Sequence, residues 1–262
     1  MTVEDVFAGT SSFYAAYRPA YPPELLDHLV ERLPADAPPG SRLVDLGAGT
    51  GELAVPLSHH VDEVWAVDVS AEMVEWGRRK ATAAGRENIR WITTAAEDLT
   101  VPDATVDLVT IGAAFHWMDK RLVCGNVLRW LRPGGTLAVT GPNSTWAGTE
   151  TWQQLAIAVI GRWLGEKRRA GSGAFRAQER HEVTMAGLGF QDVRELEFPV
   201  ELTWTLDDFV GYLYSSSYAS HRVLGDRREA FEADLRRTLL GHDPSGVYTE
   251  TLRFSCIVGV RP

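Results

Sequence analysis

The stretch that most constrains the fold is Val44-Asp45-Leu46-Gly47-Ala48-Gly49-Thr50-Gly51-Glu52. Residues 42–46 read as a short buried strand, and three alternate glycines follow it. Glycines in that pattern let the backbone turn sharply and approach a ligand without Cβ clashes. The same alternation of apolar strand and helical stretch continues along the chain. Strands are expected at 63–68, 89–93, 106–111 and 135–140, with helices over Gly51–His59, Ala71–Ala84 and Lys120–Leu131. In the second of these, Met73, Val74 and Gly77 are placed to face a sheet. Short apolar strands alternating with helices imply βαβ units and a parallel sheet covered on both faces.

Beyond Pro142 the pattern changes. A helix rich in Trp, Leu and Ile is expected over 150–166, and a flexible break over Arg169–Gly173. A strand over 192–204 and helices near 206–219 and 226–240 follow, and a long alternating strand closes the chain at 247–260. The two late strands suit an added pair on one edge of the sheet. With 262 residues, one elaborated α/β domain fits the length better than two small ones.

The details of the glycine turn choose between cofactors. A dinucleotide turn needs a third glycine where this chain has Glu52, and it cradles a pyrophosphate. Asp45 and Glu52 beside a pyrophosphate would be repelled by it. S-adenosylmethionine carries a sulfonium and an ammonium and no phosphate, so carboxylates are tolerated there. Asp68 ends the second strand, where a carboxylate can accept hydrogen bonds from both ribose hydroxyls. Ser70 suits the N-cap of the next helix, which leaves Asp68 to the ligand.

Charge excludes other classes. The 26 basic and 35 acidic residues give a net charge of −9, a field that repels polyanions, so nucleic acid is not expected as a partner. The run Lys167-Arg168-Arg169 reads as a solvated helix end. Cys124 and Cys256 form neither a disulfide framework nor a zinc spacing, and no metal is implied. Met1–Thr10 lacks the apolar core of a signal peptide, and Leu155–Ile160 is far too short to span a bilayer. No membrane partner and a cytoplasmic location are expected; the sequence specifies no oligomeric state.

The chain resembles the class I S-adenosylmethionine-dependent methyltransferases. The residues that carry the resemblance are Asp45–Gly51, Val67-Asp68-Val69-Ser70 with Met73, and Ala95-Ala96-Glu97-Asp98-Leu99. Phe115-His116-Trp117 and Leu131-Arg132-Pro133-Gly134-Gly135 complete it. Tyr14-Ala15-Ala16-Tyr17-Arg18-Pro19-Ala20-Tyr21-Pro22 and the Phe-His-Trp triplet narrow it to the branch that includes trans-aconitate and cantharidin methyltransferases. The resemblance implies an α/β, Rossmann-like, doubly wound fold. Its seven-stranded sheet would be mostly parallel, with an antiparallel C-terminal strand and a helical substrate cap. The expected organisation is an N-terminal arm and helix over 1–40, a cofactor-binding core over 41–141 and a cap formed by 142–190 and 204–245. Residues 191–203 and 246–262 would complete the sheet.

Carried over residue by residue, the cofactor S-adenosyl-L-methionine would rest its methionine part on Gly47, Ala48 and Gly49. Asp68 would hold the ribose, Val69 and Met73 would flank the adenine, and Ala96 and Glu97 would meet its rim. Ala113, Tyr17 and Arg18 complete the expected cofactor contacts, the arm from Phe7 to Pro22 closing over the methionine carboxylate once ligand binds. Many relatives carry an acid where this chain has Ala95, so the adenine amino group must find Glu97, backbone or water. His116 is the candidate general base, histidine being suited to proton transfer near neutrality. Tyr14, Tyr21, Phe115, Trp117 and Tyr214 are the candidate contacts to a small-molecule methyl acceptor. The expected function is methyl transfer to a small molecule with an oxygen acceptor, carboxylate or hydroxyl. The alternatives are an NAD(P)-dependent oxidoreductase and a non-catalytic adenosyl-ligand-binding protein.

Overall fold

The computed structural model describes residues 9–35, 38–165, 169–170, 173–174 and 179–262. Phe7 of the arm, Lys167 and Arg168 of the basic run, and Phe175 lie outside the described residues. The strands in chain order are β1 (Arg42–Leu46), β2 (Glu63–Asp68), β3 (Ile89–Thr93), β4 (Val106–Gly112) and β5 (Leu131–Pro142). They continue with β6 (Arg169–Ala170), β7 (Gly173–Ala174), β8 (Gln191–Thr205) and β9 (Val247–Val260). Seven of them form one sheet in the order β3-β2-β1-β4-β5-β9-β8. The pairs β1–β2, β2–β3, β1–β4 and β4–β5 are parallel, and β9 runs antiparallel to β5. This is the doubly wound sheet with an antiparallel C-terminal strand that the sequence implied.

The chain divides into two compact units. One comprises Ala20–Pro142, Gln178–Phe198 and Arg253–Pro262. Strands β1, β2 and β4 within it are almost entirely buried, which is why they read as continuous apolar runs rather than alternating ones. Its core gathers Leu46, Val67, Ile111, Phe115 and Trp130. The order reverses around β1, with β2 on one side and β4 on the other, so the carboxyl ends of β1 and β4 form the switch point where ligands bind in such sheets. The Arg132–Gly135 motif serves this architecture. A Cβ on Gly135 would lie 2.9 Å from the Arg132 carbonyl, at the irregularity between Val106 and Leu108 where β4 meets β5. The Arg132 guanidinium pairs with Asp107 at 2.6 Å.

The other unit comprises Met1–Pro19, Asn143–Ala177 and Pro199–Leu252. Its helices include Ser11–Tyr17, Thr151–Leu164, Leu206–Tyr214 and Arg228–His242. They bury Trp152, Phe209, Leu213, Phe231 and Leu239 together. Two indoles are tied down by hydrogen bonds, Trp152 Nε1 to the Thr249 carbonyl at 2.9 Å and Trp204 Nε1 to Glu250 at 2.6 Å.

Four elements differ from the sequence expectation. The helix after the glycine turn is short, Ala54–Leu57 followed by a 3₁₀ turn at Ser58–His60. Gly51 at φ +87° cannot start a right-handed helix, so the turn consumes the residues before Ala54. Strand five is longer than 135–140, extending over Leu131–Pro142. Where a break was expected at Arg169–Gly173, β6 and β7 pair as a small antiparallel ladder. The helix expected over 206–219 stops at Tyr214, because the Ser215 and Ser216 hydroxyls each donate to a carbonyl three residues back, at 2.6 Å.

Trp91 on β3 fills space that two glycines vacate. A Cβ on Gly77, in the helix Ala71–Ala83, would run into its ring, and one on Gly51 would lie 2.8 Å from Cη2. Gly77→Ala gains about 1 kcal/mol of helix propensity but overpacks the contact, at a cost of about 1–3 kcal/mol. Denaturant unfolding should therefore show Gly77→Ala as neutral to destabilising in the native background and stabilising beside Trp91→Leu. The same effect of Gly77→Ala in both backgrounds would contradict this packing.

Candidate cofactor site

The site begins where β1 ends. Gly47, Gly49 and Gly51 all hold positive φ, at +67°, +56° and +87°. At Gly47 a side chain is excluded twice, since its Cβ would also lie 2.5 Å from the Ala114 Cβ. The register Leu46↔Val67 brings the end of β2 beside this turn. There the Gly49 N–H donates to Asp68 Oδ2 and the Ser70 N–H to Asp68 Oδ1, each at 2.8 Å, while the Ala48 N–H donates to the Val67 carbonyl at 2.9 Å. Burial pushes the Asp68 carboxyl above its ordinary range, opposed by the backbone N–H groups of Ser70, Gly49 and Val69. Each carboxylate oxygen keeps a lone pair beyond its backbone bond. Ser70 caps the next helix, its Oγ accepting from the Met73 N–H at 3.3 Å.

Two more carboxylates flank the turn. Asp45 is 1% exposed and accepts from the Thr110 hydroxyl at 2.7 Å. Burial, with the charges of Glu52 and Asp68, pushes its carboxyl up to about 7 against the Thr110 and Ala54 donors. Glu52 accepts from the Thr50 hydroxyl and pairs with Lys80 at 3.1 Å. A trio of carboxylates around a glycine turn suits a cationic ligand and disfavours a pyrophosphate.

The carboxyl end of β4 adds a strained residue. Ala113 holds φ +51°, which is unusual for a residue with a Cβ, and its N–H donates to the Thr140 carbonyl at 2.7 Å. Such outliers gather at functional sites. Tyr21 lies against the preceding residue, since a Cβ on Gly112 would be 2.6 Å from its hydroxyl, and its ring packs 5.3 Å from Phe254. The sequence reading missed Gly112 as the seat for Tyr21; a glycine closing a buried strand was the available signal. Met73 and Ala96 are buried and Val69 half-buried. Glu97 accepts from the Asp119 N–H at 2.7 Å, so one of its oxygens is engaged in joining the loop to the helix Lys120–Trp130.

The Phe-His-Trp triplet forms a 3₁₀ turn after β4. His116 is exposed and tilts against Trp117 with ring centroids 4.9 Å apart. Phe115 points elsewhere in role: at 1% exposure, packed 5.0 Å from His181, it is a core side chain and not the acceptor contact expected of it. Apolar burial on this scale fixes the loop that carries His116.

The remaining candidates belong to the helical unit. Tyr14 and Tyr17 lie on the helix Ser11–Tyr17, and Tyr17 packs against Gly211, where a Cβ would be 2.5 Å from its ring. The Arg18 guanidinium lies 4.8 Å from the Tyr14 ring and 5.2 Å from the Tyr212 ring, and donates to the Ser215 carbonyl at 3.3 Å. This part of the arm is thus docked by contacts of its own. Tyr214 corrects a second acceptor expectation. It is 5% exposed, donates to Glu232 at 2.6 Å and packs 4.4 Å from His221, so it is core. Among the described residues no cluster of three His, Cys, Asp or Glu side chains is placed to hold a metal, and no helix is long and apolar enough to cross a membrane.

With this geometry in place, known proteins are informative. Residues 43–135 match a family described as a methyltransferase domain. An uncharacterized methyltransferase of Mycobacterium tuberculosis is 39% identical over 133 residues, 51% of this chain and 50% of that protein. The chain thus spans about half the length of such curated relatives. The crystal structure of YcgJ from Bacillus subtilis superposes with a TM-score of 0.58 at 21% identity, covering 91% of this chain and 98% of that one. A phosphoethanolamine N-methyltransferase of Haemonchus contortus, in complex with phosphomonomethylethanolamine and S-adenosylhomocysteine, gives 0.56 at 14% identity, covering 99% and 58%. Both structures share the fold. Residues 43–135 thus match a methyltransferase domain, and the chain has the fold of these methyltransferase structures.

Proposed function

We propose that this protein transfers the methyl group of S-adenosylmethionine to a small molecule, at an oxygen acceptor that is a carboxylate or a hydroxyl. The observation that carries the reading is the Asp68 carboxylate, which grips the Gly49 and Ser70 N–H groups and keeps lone pairs for two ribose hydroxyls. When bound, the cofactor supplies a methyl group activated by a sulfonium. The chain supplies position: Gly47, Ala48 and Gly49 leave room for the methionine part, Val69 and Met73 flank the adenine, and Ala96 and Glu97 bound its rim. Holding nucleophile and methyl in line is the larger part of such catalysis. Asp45, Glu52 and Asp68 add a negative field that favours a cation. His116, exposed in the loop after β4, accepts the proton of a hydroxyl at an imidazole nitrogen. A carboxylate acceptor needs no such step. The net charge of −9 favours a small molecule over nucleic acid, and the Haemonchus neighbour binds a small molecule.

Calorimetry with S-adenosylhomocysteine tests the cofactor. Asp68→Ala should weaken binding by about 1.5–3 kcal/mol, roughly 10- to 150-fold. Tight NAD binding with no response to the adenosyl ligand would overturn the reading. Mass spectrometry of acids, phenols and amines incubated with methyl-labelled cofactor tests the acceptor, with label expected on oxygen; label confined to nitrogen or carbon would overturn that part.

Asp45 makes a pH-dependent prediction. A carboxyl raised to about 7 contributes stability that is full below the ordinary carboxylate range and lost as pH rises through about 7. The ligand-free protein should therefore lose melting temperature over that interval. A cationic ligand favours the ionised carboxylate, so affinity for S-adenosylmethionine should rise over the same interval. Asp45→Asn should flatten both profiles; profiles unchanged by that substitution would contradict the role of Asp45.

A further inference from the structure

Basic side chains gather where the helix Pro23–Val30 meets β8, within the unit that comprises Ala20–Pro142, Gln178–Phe198 and Arg253–Pro262. His28 on that helix sets its ring 5.8 Å from Phe198 of β8, and only 11% of its side chain is exposed. Arg32 follows one turn later, the spacing at which helical side chains are neighbours. His28 Nε2 and Arg32 Nε are both buried, and neither has a hydrogen-bond partner among the described residues. One such atom is rare and costly; two on adjacent side chains indicate a shared missing partner. Burial, first, and then the Arg32 charge push His28 below its ordinary range, with Glu31 opposing and Arg194 of β8 adding. The Arg32 charge also reaches the Cys256 thiol on β9, opposing the burial that pushes it up to about 12, so the guanidinium faces the sheet. Neither Arg32 nor Arg194 forms an ion pair among the described residues. The Glu31 carboxylate stands 3.7 Å from His28 Nδ1, beyond hydrogen-bond length, and does not serve the Nε2 edge.

We infer that His28, Arg32 and Arg194 form a binding site for a phosphate dianion, free or as the end of a small monoester. The site goes beyond the methyl-transfer reading and does not depend on it. Basic groups that repel one another are relieved by an anion of matching charge. Phosphate carries a charge of about −1.5 to −2 at pH 7 and offers at least three acceptor oxygens. The Arg32 fork can hold two of them, through Nε–H and one Nη–H. With the dianion in place His28 takes up a proton, and Nε2 becomes a donor to a third oxygen. A carboxylate, with one charge and two oxygens, would leave one of these groups unmet. Arg194 is exposed and Arg32 half-buried, so the site opens at the end of the helix. The helix carbonyls there oppose an anion, but those of Asp27, Leu29 and Val30 already accept from the Glu31, Arg32 and Leu33 N–H groups. Exposed Glu31, beside the cluster, and Glu195 and Glu197 on β8 would repel an extended polyanion, which leaves a small phosphate as the occupant.

The test uses the full chain with ¹⁵N-labelled histidine, at constant ionic strength. The His28 imidazole signals are assigned by their loss in His28→Asn. Sodium phosphate at neutral pH should move them saturably and raise the pH at which His28 titrates, while the His59 and His60 signals stay in place. Acetate should need at least about tenfold more, having one charge and two oxygens to offer. Arg32→Gln should raise the phosphate midpoint at least about tenfold, and Arg32→Lys less, because a point charge replaces only part of the fork. Arg194→Gln, at an exposed position where the fold is not at stake, should raise it at least about threefold through lost attraction alone. Methyl phosphate separates the two sources: a midpoint within about tenfold of that for phosphate identifies a monoester and a weaker one free phosphate, and both support the site. His28 signals indifferent to phosphate, or moved equally by acetate, overturn the inference. So does a phosphate midpoint unchanged by both Arg32→Gln and Arg194→Gln.

Discussion

The site depends on one carboxylate. Asp68 closes β2 and reaches back to the Gly49 N–H while its other oxygen takes the Ser70 N–H. It therefore locks a turn in which three glycines hold positive φ to the strand that follows it. Two consequences follow. The turn is pre-formed, so ligand binding need not order it. Backbone N–H groups also offset part of the hydration that the carboxylate loses on burial, although burial still raises it. Behind it, Asp45 has only the Thr110 hydroxyl and the Ala54 N–H to offset full burial beside two other acids, and its carboxyl rises to about 7. The charges of Glu52 and Asp68, which add to the burial that raises Asp45, are what a sulfonium and an ammonium would relieve.

Most of this unit was legible in the sequence because its signals are local. β1 and β2 begin and end where the apolar runs do, since strands buried on both faces are largely apolar. Ser70 as cap follows from hydrogen-bonding chemistry within three residues, whereas the bond from the Gly49 N–H to Asp68, 19 residues on, is set by the fold. The long β9 showed itself by alternation over its whole length. Helix ends were less legible. Ser215 and Ser216 stop a helix by bonding back to it, and nothing in the apolar spacing announces that.

Side-chain roles set by distant partners were not legible. Phe115 and Tyr214 look like pocket walls in sequence, one beside a histidine and one in an aromatic-rich stretch, yet both are core. Tyr214 becomes so through Glu232 and His221, and Phe115 through His181, contacts that no periodicity encodes. The Trp91 plug between Gly51 and Gly77, and the fit of Tyr21 to Gly112, are likewise invisible until the sheet is assembled. The arm shows the same asymmetry. Its tyrosines and arginine are evident in sequence, but their docking on Gly211, Tyr212 and Ser215 is a property of the fold.

The most direct measurement of the central claim is a crystal structure of the protein grown with S-adenosylhomocysteine. The account predicts ribose hydroxyls within about 3 Å of the Asp68 carboxylate, with the Gly49 N–H still donating to it. A nucleoside bound away from Asp68, or a complex in which that side chain has swung out of the turn, would contradict it.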